Sequence, residues 1–264
     1  MTIKLGIFDS GIGGFTVLKT LLSTRREVDV IYLADTKRNP YGDKSSEEIR
    51  LIATEICNWF GDKELDALLI ACNTTNASAL DILDKALLIP KFDLINSVSD
   101  VITSDKVAVL ATSSTVNSNY YKNTIEFNIN NVEVLQQACP EFVNEIEKVP
   151  INSKRINFLA EVYLEQILSA NVKEIILGCS HYPLISEILR EKIPCNIKII
   201  DPSVPMISRL NKYYPIIDNP CVGNVSYDNI HFFATSDSEG FSNKVKNWLG
   251  ISKKINLVSL RTDT

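Results

Sequence analysis

The chain alternates between short apolar runs and longer stretches in which apolar residues recur on one helical face. The short runs have the length of buried strands, and the stretches between them have the periodicity of amphipathic helices. Strands and helices in alternation are typical of parallel sheets covered by helices, so we predict the α/β fold class. In chain order, the predicted strands span residues 4–8, 28–33, 67–70, 92–95, 107–110, 132–135, 174–177, 197–200 and 230–234.

Helices are predicted between these strands, and one of them carries a clear start signal. Ser45 or Ser46, with Glu48 close behind, is typical of a capping box before an apolar helical stripe. The polar segment 142–149 is short and mixed and receives no assignment. The other helices are predicted over 15–22, from 77 onward, through Tyr121, over 156–168, from 184, from 203 and over 241–249.

The second half of the chain repeats the order of signals in the first half. Residues 4–10 line up with residues 106–112, and the two strand-end cysteines, Cys72 and Cys179, also correspond. This repeat predicts two similar α/β lobes, although strand–helix units also resemble one another by chance. A pseudo-twofold between the lobes would make the two thiols face each other across a cleft.

Cys72 and Cys179 are the first candidates for chemistry because each follows a predicted buried strand. In open α/β sheets the ligand crevice lies at the carboxyl ends of strands, and helix N-termini there offer unpaired N–H groups. Polar residues follow both thiols, and we predict that the helix after Cys72 begins at Ala77. Cys139 stays open, whereas the usual role of a lone cysteine, a small buried apolar side chain, is assigned to Cys57, Cys195 and Cys221.

Three further polar features near predicted strand ends have two interpretations each. His181 either pairs with a thiol or a substrate carboxylate, or it is an ordinary loop histidine. Asp9 is either functional or a helix N-cap. Residues 11–14 resemble a phosphate-cradling turn, but the later glycine and the Lys-Ser/Thr pair of nucleotide sites are absent.

Composition excludes several classes of protein. The 264 residues are 45% hydrophobic, as in globular proteins, and the net charge of −5 argues against a nucleic-acid partner. We expect no membrane span, because no apolar run reaches about 18 residues, and no leader peptide is evident before the first strand. We therefore expect a cytoplasmic protein with reduced thiols. Six cysteines without a CxxC pair, and two histidines, argue against a metal site.

Five motifs in order resemble the signatures of the glutamate racemase family, within the aspartate/glutamate racemase superfamily. Residues 139–147 and 232–249 resemble two further segments of that family. The likeness spans nearly the whole chain. The five motifs are GIFDSGIGG (6–14), YLADT (32–36), PYG (40–42), ACNT (71–74) and GCSHYPL (178–184).

This resemblance implies an isomerase that interconverts L- and D-glutamate by proton transfer at Cα, without a cofactor or a metal. It implies a role in peptidoglycan synthesis, cell-wall biogenesis and cell shape through the supply of D-glutamate. The implied catalytic residues are Cys72, Cys179, Asp9, His181 and Glu147, with Cys179 serving the L form and Cys72 the D form. The implied substrate-binding residues are Asp9, Ser10, Pro40, Tyr41, Gly42, Asn73, Thr74, Thr115, Ser180 and His181.

The resemblance also implies a division into lobes. The first lobe would comprise residues 1–97 plus 204–264, the second lobe residues 98–203, and a homodimer is left open as the assembly. Departures from the family pattern lie at Thr75-Asn76 and Asn96-Ser97. Within the enzyme class, an aspartate or broad-specificity racemase is the alternative. The departures beside Cys72 keep open a racemase-like binding protein with little turnover.

Inversion at Cα explains why two thiols are needed. One base tends to return the proton to the face it left, whereas bases on opposite faces invert the centre. A free cysteine has a pKa of about 8.5, and lowering it by about two units takes roughly 2.7 kcal/mol. A helix N-terminus supplies only about 0.3–1 kcal/mol. Nearby donors or a charged His181 must therefore add to it.

Overall fold

The described residues, 2–25, 27–216 and 226–260 of a computed structural model, form two separate parallel sheets. The first sheet has six strands and the second has four. In chain order, the strands are β1 (Ile3–Asp9), β2 (Val28–Ala34), β3 (Ala67–Ile70), β4 (Lys91–Asp93), β5 (Lys106–Ala111), β6 (Glu133–Ala138), β7 (Glu174–Gly178), β8 (Lys198–Ile200), β9 (Ile230–Ala234) and β10 (Ile255–Leu257).

The same four-strand order occurs in both sheets. The first sheet runs β10-β9-β2-β1-β3-β4, and the second runs β6-β5-β7-β8. Strand β1 therefore lies between β2 and β3 as β5 lies between β6 and β7, with parallel pairing throughout. The prediction of an α/β fold with two helix-flanked parallel sheets is confirmed. The lobe boundaries after residues 97 and 203 stay a prediction.

Eleven helices connect the strands in the described residues and cover the sheets. A turn of 3₁₀ helix over Tyr182–Ile185 precedes the ninth of them. None of these helices combines the length and the apolar run that crossing a bilayer requires. The helices are α1 (Phe15–Thr24), α2 (Ser46–Gly61), α3 (Asn73–Ala86), α4 (Leu94–Val98), α5 (Ser113–Asn117), α6 (Tyr120–Asn128), α7 (Pro140–Ile146), α8 (Ser153–Ser169), α9 (Ser186–Lys192), α10 (Ser203–Tyr213) and α11 (Ser238–Leu249).

Local sequence signals fixed some boundaries correctly. The capping box before α2 is present, because Ser45 accepts a hydrogen bond from the N–H of Glu48, which reaches back to the N–H of Ser45. The apolar runs of β3 and β7 are buried along their whole length. These strands lie within buried clusters of apolar side chains that fill the space between sheets and helices.

Helix α3 begins four residues earlier than predicted, because its first turn is polar but buried. Cys72 is the N-cap and Asn73 the first helical residue. The amide of Asn76 donates to the carbonyl oxygens of Ile70 and Cys72 at 2.9 and 3.0 Å and so joins the strand end to the helix. Periodicity placed the start at Ala77 because it registers only apolar positions.

Other boundaries also differ from prediction. The strand predicted over 92–95 ends at Asp93, because that side chain caps α4 by accepting from the N–H of Asn96. The helix predicted through Tyr121 is two helices, broken at Asn119, whose φ of 54° is left-handed. The mixed segment 142–149 lies largely in α7. The strand predicted over 132–135 extends to Ala138, and the short edge strand β10 was not predicted.

The cysteines predicted to be buried do not all follow the prediction. Cys57 is buried, whereas Cys195 is exposed, because it lies in the turn before β8 rather than in an apolar face. Cys221 lies outside the described residues. Cys139 is buried and is the residue before α7.

Candidate active site

The two strand-end thiols occupy equivalent places in the two sheets. Cys72 follows β3 and Cys179 follows β7, and each of these strands lies next to the central strand of its four-strand unit. A small cavity of about 10 Å³ lies between these strand ends. It is lined by Ser10, Tyr41, Gly42, Cys72, Asn73, Thr74, Thr112, Val143, Cys179, Ser180 and His181.

Both thiols are buried, and most of the side chains that line the cavity with them carry a polar group. Cys72 is 4% exposed and Cys179 is 5% exposed. Hydroxyl, amide and imidazole groups make up most of the lining, and Val143 is its aliphatic member. The sulfurs are therefore held away from bulk water and beside groups that can bind a charged ligand.

A chain of four ionisable side chains begins at Cys179. Its Sγ lies 3.9 Å from Nδ1 of His181, and Nε2 of His181 lies 2.7 Å from Oε1 of Glu147. Lys244 of α11 donates from Nζ to Oε2 of Glu147 at 2.6 Å. Burial opposes the charged form of His181. The contacts with Cys179 and Glu147 outweigh it and hold the pKa of His181 well above its ordinary value.

Glu147 stays ionised and joins the two halves of the site. Burial would raise its pKa, but His181 and Lys244 outweigh this effect and lower the pKa to about 2. The carboxylate also accepts from Nδ2 of Asn39 at 2.8 Å and from the N–H of Ile12 at 3.3 Å. It therefore holds His181 in place and keeps a positive charge beside Cys179.

The charged group beside Cys72 is negative, whereas the one beside Cys179 is positive. Burial raises the pKa of the Cys72 thiol to about 12, and the negative charge of Asp9 adds to the rise. Asp9 is fully buried and is held by the hydroxyl of Ser180 and the N–H of Gly11, both at 2.8 Å. The thiol of Cys72 therefore keeps its proton, whereas a cation lies next to Cys179.

The glycines after β1 allow the two lobes to approach closely. A Cβ atom at Gly13 would lie 2.2 Å from Oγ of Ser180 and 2.6 Å from Nδ1 of His181. A side chain there would displace both residues. The glycine-rich turn thus packs against Ser180 and His181, which follow Cys179, and Asp9 reaches the hydroxyl of Ser180.

Hydrogen-bond donors for an anionic ligand lie on the Cys72 side. Oδ1 of Asn73 accepts from Tyr121 at 2.7 Å, whereas Nδ2 is buried without a partner among the described residues. The hydroxyls of Thr74, Thr112 and Thr115 lie 3.0–3.4 Å from one another. These groups can reorient toward a carboxylate because hydroxyls both donate and accept.

Tyr41 is held in the cavity wall by a buried carboxylate. Its hydroxyl donates to Oδ2 of Asp35, which also binds Nε of Arg38 at 2.6 Å. Thr235, just after β9, donates to Oδ1 of Asp35 at 2.7 Å. Asp35 belongs to a motif noted in the sequence, but no role was predicted for it.

Most residues predicted for the site line the cavity. Four predicted residues, Asp9, Pro40, Thr115 and Glu147, do not line it. Asp9, Thr115 and Glu147 instead contact lining residues through hydrogen bonds. Sequence reasoning missed Thr112, Val143 and Lys244. Thr112 could have been found, since it aligns with Ser10 in the repeat, but no signal marked Lys244.

Comparison with known proteins places this fold and site. A sequence model of the Asp/Glu/Hydantoin racemase family matches residues 17–207. A glutamate racemase of Prochlorococcus marinus (strain NATL2A) is 46% identical over 98% of each chain. The structure of glutamate racemase from Francisella tularensis in complex with D-glutamate has a TM-score of 0.85 at 35% identity over 98% of each chain. A glutamate racemase isoform from Bacillus anthracis gives a TM-score of 0.87 at 26% identity, again over 98% of each chain.

These likenesses define an isomerase of the amino-acid racemase class. The chain belongs to the Asp/Glu/Hydantoin racemase family. The resemblance seen in the five sequence motifs is thereby confirmed over the full length of the chain.

Proposed function

We propose that the protein interconverts L- and D-glutamate by proton transfer between Cα and the thiols of Cys72 and Cys179, without a cofactor. The observation that carries this proposal is that both thiols line one polar cavity at equivalent strand ends. Relatives that match over 98% of the chain are glutamate racemases, and the similar Francisella tularensis structure holds D-glutamate.

Opposite charges beside the two sulfurs assign the starting protonation states. We assign Cys179, whose neighbour His181 is positively charged, as the base that takes the proton from Cα of L-glutamate. Cys72, whose pKa is raised, begins as the thiol and gives its proton to the other face of Cα. Formation of D-glutamate converts Cys72 to the thiolate and Cys179 to the thiol. The reverse reaction starts from this state.

Binding of glutamate brings two carboxylates into a buried space. Within the described part of the chain Nδ2 of Asn73 has no hydrogen-bond partner, and Thr74, Ser10 and Ser180 also line the cavity. We assign these residues, with Tyr41 and Gly42, to binding of the two carboxylates. The positive His181 offsets part of the added negative charge, and Asp9 and Glu147 act through the residues they hold.

Entry of substrate requires movement, since the cavity-lining side chains are almost entirely buried. Ser180 and His181 are 6% and 2% exposed, and Asn73 and Thr74 are similar. We infer that the two lobes separate to admit glutamate and then close around it. Closure excludes water, which strengthens the electrostatic interactions inside the site.

The biological role follows from the reaction. We infer that the enzyme works in the cytoplasm and supplies D-glutamate for peptidoglycan synthesis, as the family resemblance implies. A homodimer stays a prediction that sedimentation of the purified protein would test.

Removal of either thiol tests the reaction. Cys72→Ser and Cys179→Ser should each abolish racemisation of both enantiomers, measured by chiral chromatography after incubation in deuterated water. Each variant should still exchange the Cα proton of the enantiomer served by its remaining thiol. Wild-type racemisation rates in both single variants would refute the two-thiol mechanism. Parallel incubations with L- and D-aspartate would reveal the alternative specificity.

A further inference from the structure

The first turn of α3 begins at the catalytic candidate Cys72. Cys72 is the N-cap residue, and Thr75 is three residues further on, at the N3 position. At helix starts, the N-cap side chain ordinarily accepts a hydrogen bond from the N–H at N2 or N3, and an N3 side chain can reach back to the cap. Cys72 therefore occupies the chain position at which a serine or aspartate usually caps a helix.

The hydroxyl of Thr75 is buried and has no hydrogen-bond partner among the described residues. Its neighbours are engaged elsewhere, Thr74 with Thr112 and Asn76 with two carbonyl oxygens. Buried hydroxyls are rarely left unpaired, so this one calls for a role.

Both polar groups of Thr75 act on the sulfur. The hydroxyl and the N–H of Thr75 each lower the pKa of Cys72, against the larger opposing effect of burial and the charge of Asp9. The sulfur makes no capping hydrogen bond in this structure, and the hydroxyl of Thr75 is unpaired within the described residues. The hydroxyl thus has a hydrogen bond to donate, and a thiolate accepts such a bond more strongly than a thiol does.

We propose that Thr75 is a positioning residue that stabilises the thiolate of Cys72 by donating hydrogen bonds from its hydroxyl and its N–H. This inference rests on the proposed function, in which each conversion of L- to D-glutamate leaves Cys72 as the thiolate. The Cys179 side has His181 and Glu147 for the same purpose. On the Cys72 side, the N-terminus of α3 and the Thr75 hydroxyl stabilise the thiolate, as the positive His181 does beside Cys179.

The other ionisable groups that face Cys72 do not stabilise its anion. Asp9 is the last residue of β1 and Cys179 follows β7, and a negative charge on either raises the pKa of Cys72. Tyr32 of β2 and Tyr41 are neutral over the working range, because burial raises the pKa of both. Thr75 is therefore the side chain whose effect on the thiolate is favourable.

Site-specific alkylation tests this assignment directly. Iodoacetamide labels thiolates, and mass spectrometry of the Cys72 peptide reports the rate at each pH in the wild type, Thr75→Val and Thr75→Ser. Loss of one charge-assisted hydrogen bond should lower the rate at a given pH about tenfold in Thr75→Val. Thr75→Ser should restore it to within about threefold of the wild type. The Cys179 peptide in the same digest is the internal control.

A half-reaction isolates the catalytic consequence. In a Cys179→Ser background, wash-in of deuterium at Cα of D-glutamate depends on Cys72, and Thr75→Val should slow it about tenfold. In a Cys72→Ser background, wash-in with L-glutamate depends on Cys179 and should change by less than threefold. Circular dichroism and the thermal midpoint check folding, with Thr75→Ala as a second variant.

The outcomes separate this proposal from the proposed function. An unchanged alkylation profile in both Thr75→Val and Thr75→Ala overturns the role of Thr75, whatever the racemase assays give. Equal losses in Thr75→Val and Thr75→Ser also overturn it, because packing rather than the hydroxyl would then be responsible. A shifted profile in a protein that racemises glutamate without Cys72 supports the hydrogen bond but refutes the two-thiol mechanism.

Discussion

The two thiol regions have the same position in the topology and opposite electrostatics. Cys72 and Cys179 each follow the strand beside a central parallel strand, and their exposures of 4% and 5% are nearly equal. Their neighbours differ, since Asp9 raises the pKa of Cys72, whereas the cationic His181 lies beside Cys179. A repeated fold therefore supplies matched positions, and local side chains make the two positions unequal.

This inequality is what a two-base inversion requires. If both sulfurs were thiols, nothing would remove the proton from Cα, and if both were thiolates, nothing would return one. Since the exposure of the two thiols is nearly equal, their charged neighbours are what distinguishes them. The predictions that follow alter those partners one at a time.

Removal of the cation beside Cys179 should have the largest effect. His181→Asn keeps a polar side chain of similar reach but leaves Cys179 without a positive neighbour, so kcat/KM for both enantiomers should fall by about 10²–10³-fold. Steady-state assays in each direction measure this loss. His231→Asn is the matched control, because His231 lies at an exposed position of β9. A loss below threefold in His181→Asn would show that the asymmetry does not depend on the imidazolium.

Replacement of Glu147 should reduce stability in a pH-dependent way. Its pKa is lowered from 4.5 to about 2, so the contribution is present above about pH 4.5 and is lost as pH falls toward 2. The raised pKa of His181 acts in the opposite direction, and its contribution is lost as pH rises above about 6.5 through the folded-state value. Glu147→Gln should therefore cost about 2 kcal/mol between these limits, measured by urea unfolding at several pH values.

A matched surface carboxylate controls the stability measurement. Glu141 forms an exposed pair with Arg155, and Glu141→Gln should change the free energy of unfolding by less than about 1 kcal/mol at every pH. Equal decreases of the free energy of unfolding in Glu147→Gln and Glu141→Gln would mean that Glu147 stabilises the protein no more than a surface carboxylate does.

Lys244→Met should give the smallest effect on the Cys179 side. Glu147 would keep His181, Asn39 and the N–H of Ile12, but it would lose the cation that shares its charge. We expect kcat/KM to fall about three- to tenfold and the pKa of Glu147 to rise. Lys246→Met, on the same helix but exposed, should leave both unchanged. Identical kinetics in the two variants would remove Lys244 from the site.

Local pattern was sufficient for the α/β class, for nine of the ten strands found in the described residues and for the capping box at Ser45. Apolar runs identify strands because burial of apolar surface drives the same segments into the sheets. Pattern failed at the start of α3 and the end of β4, where buried polar residues cap the backbone. Periodicity does not register such residues, since their place depends on hydrogen bonds rather than on apolar spacing.

The order of residues along this chain determined which side chains end each strand, and therefore that two thiols stand at corresponding places in two sheets. Only the tertiary structure decided their neighbours. Lys244 meets Glu147 across 97 residues, and Ser180 meets Asp9 across 171 residues. Electrostatic effects depend on distances in space, which the packing of one lobe on the other sets, so the unequal charge around the two thiols arises at that level.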